Sequence, residues 1–238
     1  MLENLMGFYE TENGFNDITT DYISLAKAKA NRKNLLVKAH EKEIYSLNLN
    51  NNVIIAKIHR DNKGVYPFSK LDFLSHKIQE LVYPNLVPKI YAADFTEKST
   101  PMYIVEKIPL EKYHIAYNIW RQQDNRQKGL DYKYNPDFLK INSNEDIETL
   151  AKRHIQMVDV MKDEYGDLLL EKGIAFDYSY VNITWRNNLP VALEVHKCQR
   201  DYLFNYDKCM EYFKEKYPNT EQKENGIKIL ERMNAIKR

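Results

Sequence analysis

The sequence lacks the features that direct a chain to a membrane, to export or to a polyanionic partner. No apolar run approaches the roughly 18 residues of a membrane-spanning helix. The opening Met-Leu-Glu-Asn-Leu-Met-Gly has neither the basic nor the apolar stretch of a secretory signal. Thirty-five basic and 34 acidic residues give a formal charge of +1, so electrostatics indicates neither nucleic acid nor an anionic membrane surface. We therefore expect a cytoplasmic protein without a membrane or nucleic-acid partner.

Cysteine is also scarce. The two cysteines, Cys198 and Cys209, show no metal-ligand spacing, which favours a reducing compartment. Apolar residues make up 43% of the chain, close to the norm for soluble globular proteins, so a full core can form. A length of 238 residues suits one two-lobed domain, or two small domains that share a cleft.

The most informative stretch is 173–197. It contains Asp177, Asn182 five residues later, a turn at Arg186-Asn187-Asn188, and a second acid, Glu194, after a short apolar run. Apolar runs separated by Asn-Asn are typical of paired strands, so we expect a hairpin that returns Glu194 to the side of Asp177. Three converging oxygen-bearing side chains can hold Mg²⁺ against a nucleotide. The segment therefore predicts a magnesium–nucleotide site.

Periodicity in the rest of the chain predicts alternating strands and helices. Lys57 lies in an apolar strand and is predicted to point opposite to Ala56 and Ile58, toward a cleft. His154 lies in the apolar stripe of a long helix and is interpreted as a packed core residue. Strands are expected at 34–38, 44–49, 53–58, 93–95 and 102–105, and helices at 20–32, 69–83 (capped by Ser69), 113–123, 143–165 (capped by Ser143), 203–217 and 220–236.

The order of these features resembles the protein-kinase-like superfamily. In that family a lysine strand, a helix, a Pro-Asn pair (here Pro84-Asn85), a hinge, a long helix, Asp-x₄-Asn and a returning acid follow one another. Within it the RIO kinases are most similar. Their D-L-S-x-x-N resembles the stretch from Asp177 to Asn182, and their I-D-V-S-Q resembles Leu-Glu-Val-His-Lys at 193–197. The Glu-Lys-Glu-Ile-Tyr stretch at 41–45 is similar to the end of their nucleotide loop.

This resemblance implies an α+β, two-lobed kinase-like fold: a small antiparallel sheet lobe with one helix, and a reduced, mainly helical second lobe. The corresponding segments are an N-terminal extension at 1–33, the sheet lobe at 34–105, and the hinge with the helical lobe at 106–238. ATP and Mg²⁺ are the implied cofactors, and a protein substrate or partner is implied with them.

The resemblance also implies a role for each site residue. Asp177 would be the catalytic base, Asn182 and Glu194 would hold Mg²⁺, and Lys57 would contact the α- and β-phosphates. The acid that pairs with Lys57 would be Glu80 or, alternatively, Asp72. The remaining nucleotide contacts would come from a covering loop and from the hinge, at Ala39, His40, Glu41, Glu106 and Ile108.

Departures from the family leave the function open. Ala175-Phe176 replace the His-Arg before the catalytic Asp, the covering loop has no glycine, and no A-P-E stretch follows. The trio His59-Arg60-Asp61 spells the catalytic tripeptide, but no Asn follows five residues later, so we interpret it as a chance match.

Four hypotheses remain. The chain is an active atypical kinase that phosphorylates a protein hydroxyl, a pseudokinase that acts through a partner, a small-molecule kinase of the aminoglycoside-phosphotransferase type, or an unrelated α+β domain. The sequence specifies neither the phosphoacceptor nor the oligomeric state.

Overall fold

An eight-stranded antiparallel sheet forms one lobe of the protein, and helices form most of the other. The computed structural model describes residues 8–11, 14–17, 20–38, 42–49, 52–59, 66–95, 100–127, 133–134, 139–141, 143–174, 178–194 and 205–237. The strands of the sheet are β1 Phe8–Thr11, β2 Gly14–Asp17, β3 Leu35–Lys38, β4 Lys42–Leu49, β5 Asn52–His59, β6 Ile90–Asp94, β7 Met102–Glu106 and β8 Lys133–Tyr134. Their order across the sheet is β1-β2-β6-β7-β5-β4-β3-β8, with every neighbouring pair antiparallel.

Alternation along the central strands gives the sheet two different faces. On one face Ile54 and Ala56 of β5 are buried in a cluster with Ala26 of helix α1, Thr20–Lys29. An ion pair of 2.6 Å between Lys27 and Asp94 ties this helix to β6. The opposite face carries alternate residues of the same strands and packs against helix α2, Tyr66–Val82. The second face is the one that builds the candidate site.

The second lobe combines helices with a short hairpin. Helix α3, Lys112–Gln127, packs against α4, Ile147–Glu171, and the hairpin pairs β9, Ile183–Arg186, with β10, Leu189–Ala192. Helix α5, Tyr206–Glu211, runs into a π-helical stretch, Tyr212–Lys216, and α6, Thr220–Lys237, packs on α2. One buried cluster joins Phe73 of α2 to Phe213 and Met233 of the C-terminal helices. The predicted α+β class and the division into a sheet lobe and a mainly helical lobe are confirmed.

No helix within the described ranges is both long and apolar enough to span a membrane.

Two predicted helix starts were wrong. Helix α2 begins at Tyr66, before Ser69, and carries Pro67 in its first turn, where a missing backbone N–H costs nothing. Helix α4 begins at Ile147, because Asp146 rather than Ser143 caps it: Thr149 N donates to Asp146 Oδ1 at 2.8 Å. In neither helix does the Ser of the Ser-x-x-acid pattern mark the start.

The sheet draws on all three segments that the sequence suggested. Strands β1 and β2 come from the N-terminal extension and join the sheet where Asn16 pairs with Asp94. Strand β8 comes from the region after the hinge and pairs with β3 at Val37 and Lys38. The five strands from 35 to 106 are therefore flanked at both edges by chain from elsewhere.

Gly173, which leads into the predicted magnesium segment, cannot carry a side chain in this fold. Its φ is +73°, and a Cβ would lie 2.6 Å from both Asn205 O and Cys209 N. We expect Gly173→Ala to lower the free energy of unfolding by about 2–4 kcal/mol, because left-handed strain adds to overpacking against backbone. Urea denaturation measures this loss. A loss below about 1 kcal/mol would show that the start of α5 moves away freely.

Candidate functional site

A tight hairpin lies within the predicted magnesium segment and brings Leu193 to Asn182. Asn187 and Asn188 form its turn, with φ angles of 52° and 64°. Two successive left-handed residues suit a two-residue hairpin because their twist matches that of the flanking strands. Leu193 N then donates to Asn182 O at 2.7 Å. The hairpin forms as predicted and places the residue before Glu194 against Asn182. The predicted neighbour of Glu194, Asp177, lies outside the described residues.

The lysine of strand β5 reaches the end of this hairpin. Lys57 is only 2% exposed. Its Nζ donates to Leu193 O at 2.7 Å and lies 3.3 Å from Glu194 Oε1. Lys57 and Leu193 are 136 positions apart in the sequence. The fold therefore brings the predicted phosphate-binding lysine and the predicted metal-binding acid into one buried contact.

A second buried lysine, Lys42, also reaches this acid. Its Nζ forms an ion pair with Glu194 Oε2 and lies 3.0 Å from Oδ2 of Asp72 on α2. Strand β4 begins at Lys42 and not at Ile44, where the apolar pattern starts. Sequence reasoning missed Lys42 for this reason. Continuing the alternation two residues back from Ile44 would have placed Lys42 on the same face as Lys57.

Asp72 fixes Lys42 between helix α2 and the sheet. The Asp72 side chain is buried, and Tyr103 OH on β7 donates to its Oδ2 at 3.2 Å. The Nε2 of His59 lies 3.8 Å from the same oxygen. Three adjacent strands and one helix thus meet at a single carboxylate.

Two lysines and two carboxylates form a charge-balanced cluster. Burial would raise the pKa of Glu194, but Lys42 and Lys57 outweigh it and lower that pKa to about 2. Burial lowers the pKa of Lys57 in spite of the opposing effect of Glu194. Burial acts against the charge of Lys42 as well, yet Asp72 and Glu194 raise its pKa well above the ordinary value. Glu194 is therefore ionised at neutral pH and has both lysines as counter-charges.

Two buried histidines hold the backbone on either side of Asn182. His154 Nε2 on α4 donates to Tyr180 O, and His114 Nδ1 on α3 donates to Ile183 O, each at 2.7 Å. Their rings meet edge to face with centroids 5.5 Å apart. His154 is buried, as predicted, and also binds this loop. Sequence reasoning missed His114, because α3 showed little apolar period and its acceptor is far away in the chain.

The structure does not place Glu80 at Lys57. The Glu80 carboxylate accepts from Lys77 Nζ at 2.8 Å and from Ile90 N at 3.3 Å. Asp72, the alternative acid, forms its ion pair with Lys42. Lys57 instead contacts Glu194 of the hairpin. The prediction that Lys57 pairs with an acid of this helix was therefore wrong.

An ion pair at the predicted hinge connects the sheet to the hairpin of the second lobe. Glu106 ends β7, and its carboxylate accepts from Arg186 Nη2 of β9 at 3.1 Å and from Lys89 N at 3.2 Å. Ile108, two residues on, is buried at 4% exposure. Both predicted hinge residues therefore lie where the sheet lobe passes into the helical lobe.

Four predicted site residues lie outside the described part of the chain: Asp177, Ala39, His40 and Glu41. Arg60 and Asp61 of the chance match are outside it as well.

The donor chemistry beside the hairpin fits a hard cation. Glu194 is an ionised carboxylate. Asn182, which has an amide side chain, lies near it because the backbone of Leu193 is hydrogen-bonded to that of Asn182. Carboxylate and amide oxygens are ligands of hard cations. Both Glu194 oxygens face lysines. The described residues contain no group of three or more His, Cys, Asp or Glu side chains that could hold a metal ion. A magnesium site here therefore depends on Asn182 and on release of Glu194 from the lysines.

Comparison with known proteins gives little further guidance. No family model matches the chain, and no curated protein matches it. Among solved structures, the chain is similar to a chain in the structure of the streptomycin–ATP–APH(2″)-IIa ternary complex, at 16% sequence identity and a TM-score of 0.31. The match covers 91% of this chain and 87% of that one. A likeness of this size does not establish a function.

Proposed function

We propose that this protein is a phosphotransferase that uses ATP and Mg²⁺, and that its acceptor is a hydroxyl group of another protein. The observation that carries the proposal is the buried contact between Lys57 and Glu194, which joins a strand lysine to the acid of the hairpin. A buried lysine beside an ionised carboxylate, at the junction of a sheet lobe and a helical lobe, suits the phosphate chain of a nucleotide and its cation.

The resemblance to protein kinases implies the remaining roles. Lys57 would contact the phosphates, and Glu194 with Asn182 would hold Mg²⁺, which neutralises charge on the phosphate oxygens. Asp177 would accept the proton of the acceptor hydroxyl. The hydroxyl oxygen forms a bond to the γ-phosphorus while the bond to the β–γ bridging oxygen breaks, so that ADP leaves.

A protein acceptor is supported by the sequence pattern from Asp177 to Asn182 and by Leu-Glu-Val-His-Lys at 193–197, both of which are similar to RIO kinases. One structural feature favours a second candidate, a pseudokinase. Both Glu194 oxygens pair with lysines, so cation binding must compete with two existing ion pairs. In that case nucleotide binding would occur without transfer.

Incubation with γ-labelled ATP and Mg²⁺ tests the proposal. We expect label to reach the protein itself or proteins of an added lysate, and both Lys57→Ala and Asp177→Ala to reduce transfer at least about 100-fold, because each removes a positioned charge. Lys152→Ala is the matched control, since Lys152 is 65% exposed on α4.

The outcomes separate the candidates. Stabilisation by ATP without any transfer contradicts the transferase proposal and supports a pseudokinase. Transfer to a small-molecule alcohol but to no protein contradicts the protein acceptor alone.

A further inference from the structure

We infer that Lys42 is a second phosphate-binding residue, and that Lys42 and Lys57 together form a two-lysine clamp that Glu194 occupies when no nucleotide is bound. This inference rests on the proposed function. It assigns to Lys42 a contact with ligand that the sequence resemblance gives to Lys57 alone.

The register of the sheet places both lysines toward one point. Lys42 of β4 lies opposite His59 of β5, and Lys57 is two residues before His59. Residues two apart on a strand share a face, so both ammonium groups leave the same side of the sheet. Each then contacts a different oxygen of the Glu194 carboxylate, Lys57 at Oε1 and Lys42 at Oε2.

A phosphate group can replace a carboxylate that lies between two ammonium groups. Both lysines are almost fully buried, at 7% exposure for Lys42 and 2% for Lys57. Two cations in a buried site repel each other, and an anion between them offsets that repulsion. If Glu194 turns to a cation on the hairpin, the phosphate oxygens supply that anion. The exchange keeps each lysine paired throughout.

Asp72 keeps Lys42 in place during such an exchange. The Lys42–Asp72 contact of 3.0 Å does not involve Glu194, and Tyr103 OH holds the same Asp72 oxygen. Lys42 therefore remains anchored to helix α2 when Glu194 leaves. Apart from Glu194, Lys57 donates to Leu193 O and lies 5.4 Å from the centroid of the Tyr103 ring, so it has no second carboxylate of the kind that Asp72 gives Lys42 among the described residues.

The predicted covering loop lacks glycine, which is a reason for a second phosphate-binding lysine. The residues between β3 and β4 are Ala39, His40 and Glu41, with no glycine. Glycine lets backbone N–H groups approach phosphates closely, so a loop without it offers weaker contacts. A buried lysine at the end of that loop supplies positive charge in their place.

Calorimetric titration of the full chain with Mg·ATP and with adenosine tests the clamp. We expect Lys42→Met and Lys57→Met each to weaken ATP binding about tenfold or more, because each loses a charge-assisted contact. Lys42→Arg should keep the affinity within about threefold, since a guanidinium retains the charge. Adenosine, which has no phosphate, should bind the wild type and Lys42→Met equally. Lys152→Met is the exposed control.

Each outcome decides the matter. Unchanged ATP affinity in Lys42→Met overturns the clamp, even if that variant melts at a lower temperature. An equal loss of ATP and adenosine affinity also overturns it, because a misfolded site loses both. Absence of ATP binding by the wild type contradicts the proposed function itself and is thereby distinguished from failure of the clamp alone.

Discussion

Glu194→Gln is expected to lower the free energy of unfolding by about 3 kcal/mol or more at pH 7. Glutamine fills nearly the same volume but removes the one carboxylate that pairs with both Lys42 and Lys57. Among the described residues, Asp72 then remains as an ion-pair partner for Lys42, and Lys57 loses its ion pair. Removing one member of a buried ion pair costs more than the pair contributes, because the remaining charge is left desolvated.

The loss should depend on pH in a defined direction. Burial already lowers the pKa of Lys57, and removing Glu194 takes away the principal opposing charge. Lys57 in the variant therefore becomes neutral at a lower pH than in the wild type. We expect the difference in stability to shrink as the pH rises through that range, because a neutral amine needs no counter-charge.

Glu80→Gln is a matched control for this substitution. Glu80 is buried to a similar degree, at 13% side-chain exposure against 17% for Glu194, and it pairs with one lysine, Lys77, three residues away. Its loss should cost less than that of Glu194, since only one lysine loses its counter-charge and the glutamine carbonyl can still accept from Ile90 N. Urea denaturation at pH 7 and pH 9 measures both variants. Equal costs for the two would contradict the role of Glu194 as shared counter-charge.

Nucleotide titration separates this structural effect from the metal role of Glu194. If Glu194 holds Mg²⁺, Glu194→Gln should abolish the dependence of ATP binding on Mg²⁺. Addition of Mg²⁺ would then leave the ATP affinity of the variant unchanged, whereas it raises that of the wild type. If Mg²⁺ raises the ATP affinity of Glu194→Gln as much as that of the wild type, Glu194 does not hold the metal.

The parts of the site that could be predicted depend on local pattern. The hairpin follows from two short apolar runs around Asn187-Asn188, and the direction of Lys57 follows from alternation within one strand. The order of elements along the chain was enough to predict two lobes. None of these inferences needed knowledge of a distant contact.

The parts that failed depend on helix phase and long-range pairing. Asp72 and Glu80 both lie on α2, but eight residues rotate a helix by about 80° beyond two full turns, so they cannot face the same partner. Lys77, one turn before Glu80, pairs with it locally. Nothing in the composition of α2 indicates that Asp72 would meet a lysine of β4. That pairing depends on the register of β4 against β5, which places Lys42 opposite His59.

The four described histidines should make the protein unstable in mild acid. Three of them donate to a backbone carbonyl through one ring nitrogen: His76 to Pro88 O, and His114 and His154 to the loop around Asn182. Because a carbonyl only accepts, that nitrogen must carry the proton in the neutral ring. The second nitrogen of each ring is buried with no hydrogen-bond partner among the described residues. Protonating it would create a desolvated charge.

The pKa values give the direction of this effect. Burial lowers the pKa of His76 to about 3, His114 to about 3 and His59 to about 4, and burial also lowers the pKa of His154. The unfolded chain binds protons at these rings below about pH 6.5, while the folded chain does not. Stability is therefore complete above that pH and falls as the pH drops toward 3 to 4.

The expected magnitude is large. Each such ring contributes a slope that approaches about 1.4 kcal/mol per pH unit, so three rings cost several kcal/mol between pH 6.5 and 4.5. That loss is comparable to the whole stability of a typical domain. Glu194, whose pKa is lowered to about 2, adds its own loss only below its ordinary value of 4.5. The interval from pH 6.5 to 4.5 therefore isolates the histidines from this carboxylate.

Urea unfolding measured from pH 7.5 to 5 checks this prediction. His114→Asn is the informative variant, because its amide nitrogen can occupy the place of Nδ1 and donate to Ile183 O without titrating. We expect it to reduce the slope by about one proton, with Lys152→Ala leaving the slope unchanged. A flat profile in the wild type would show that the rings gain protons without cost. The helices α3 and α4 would then not hold the Asn182 segment through neutral imidazoles.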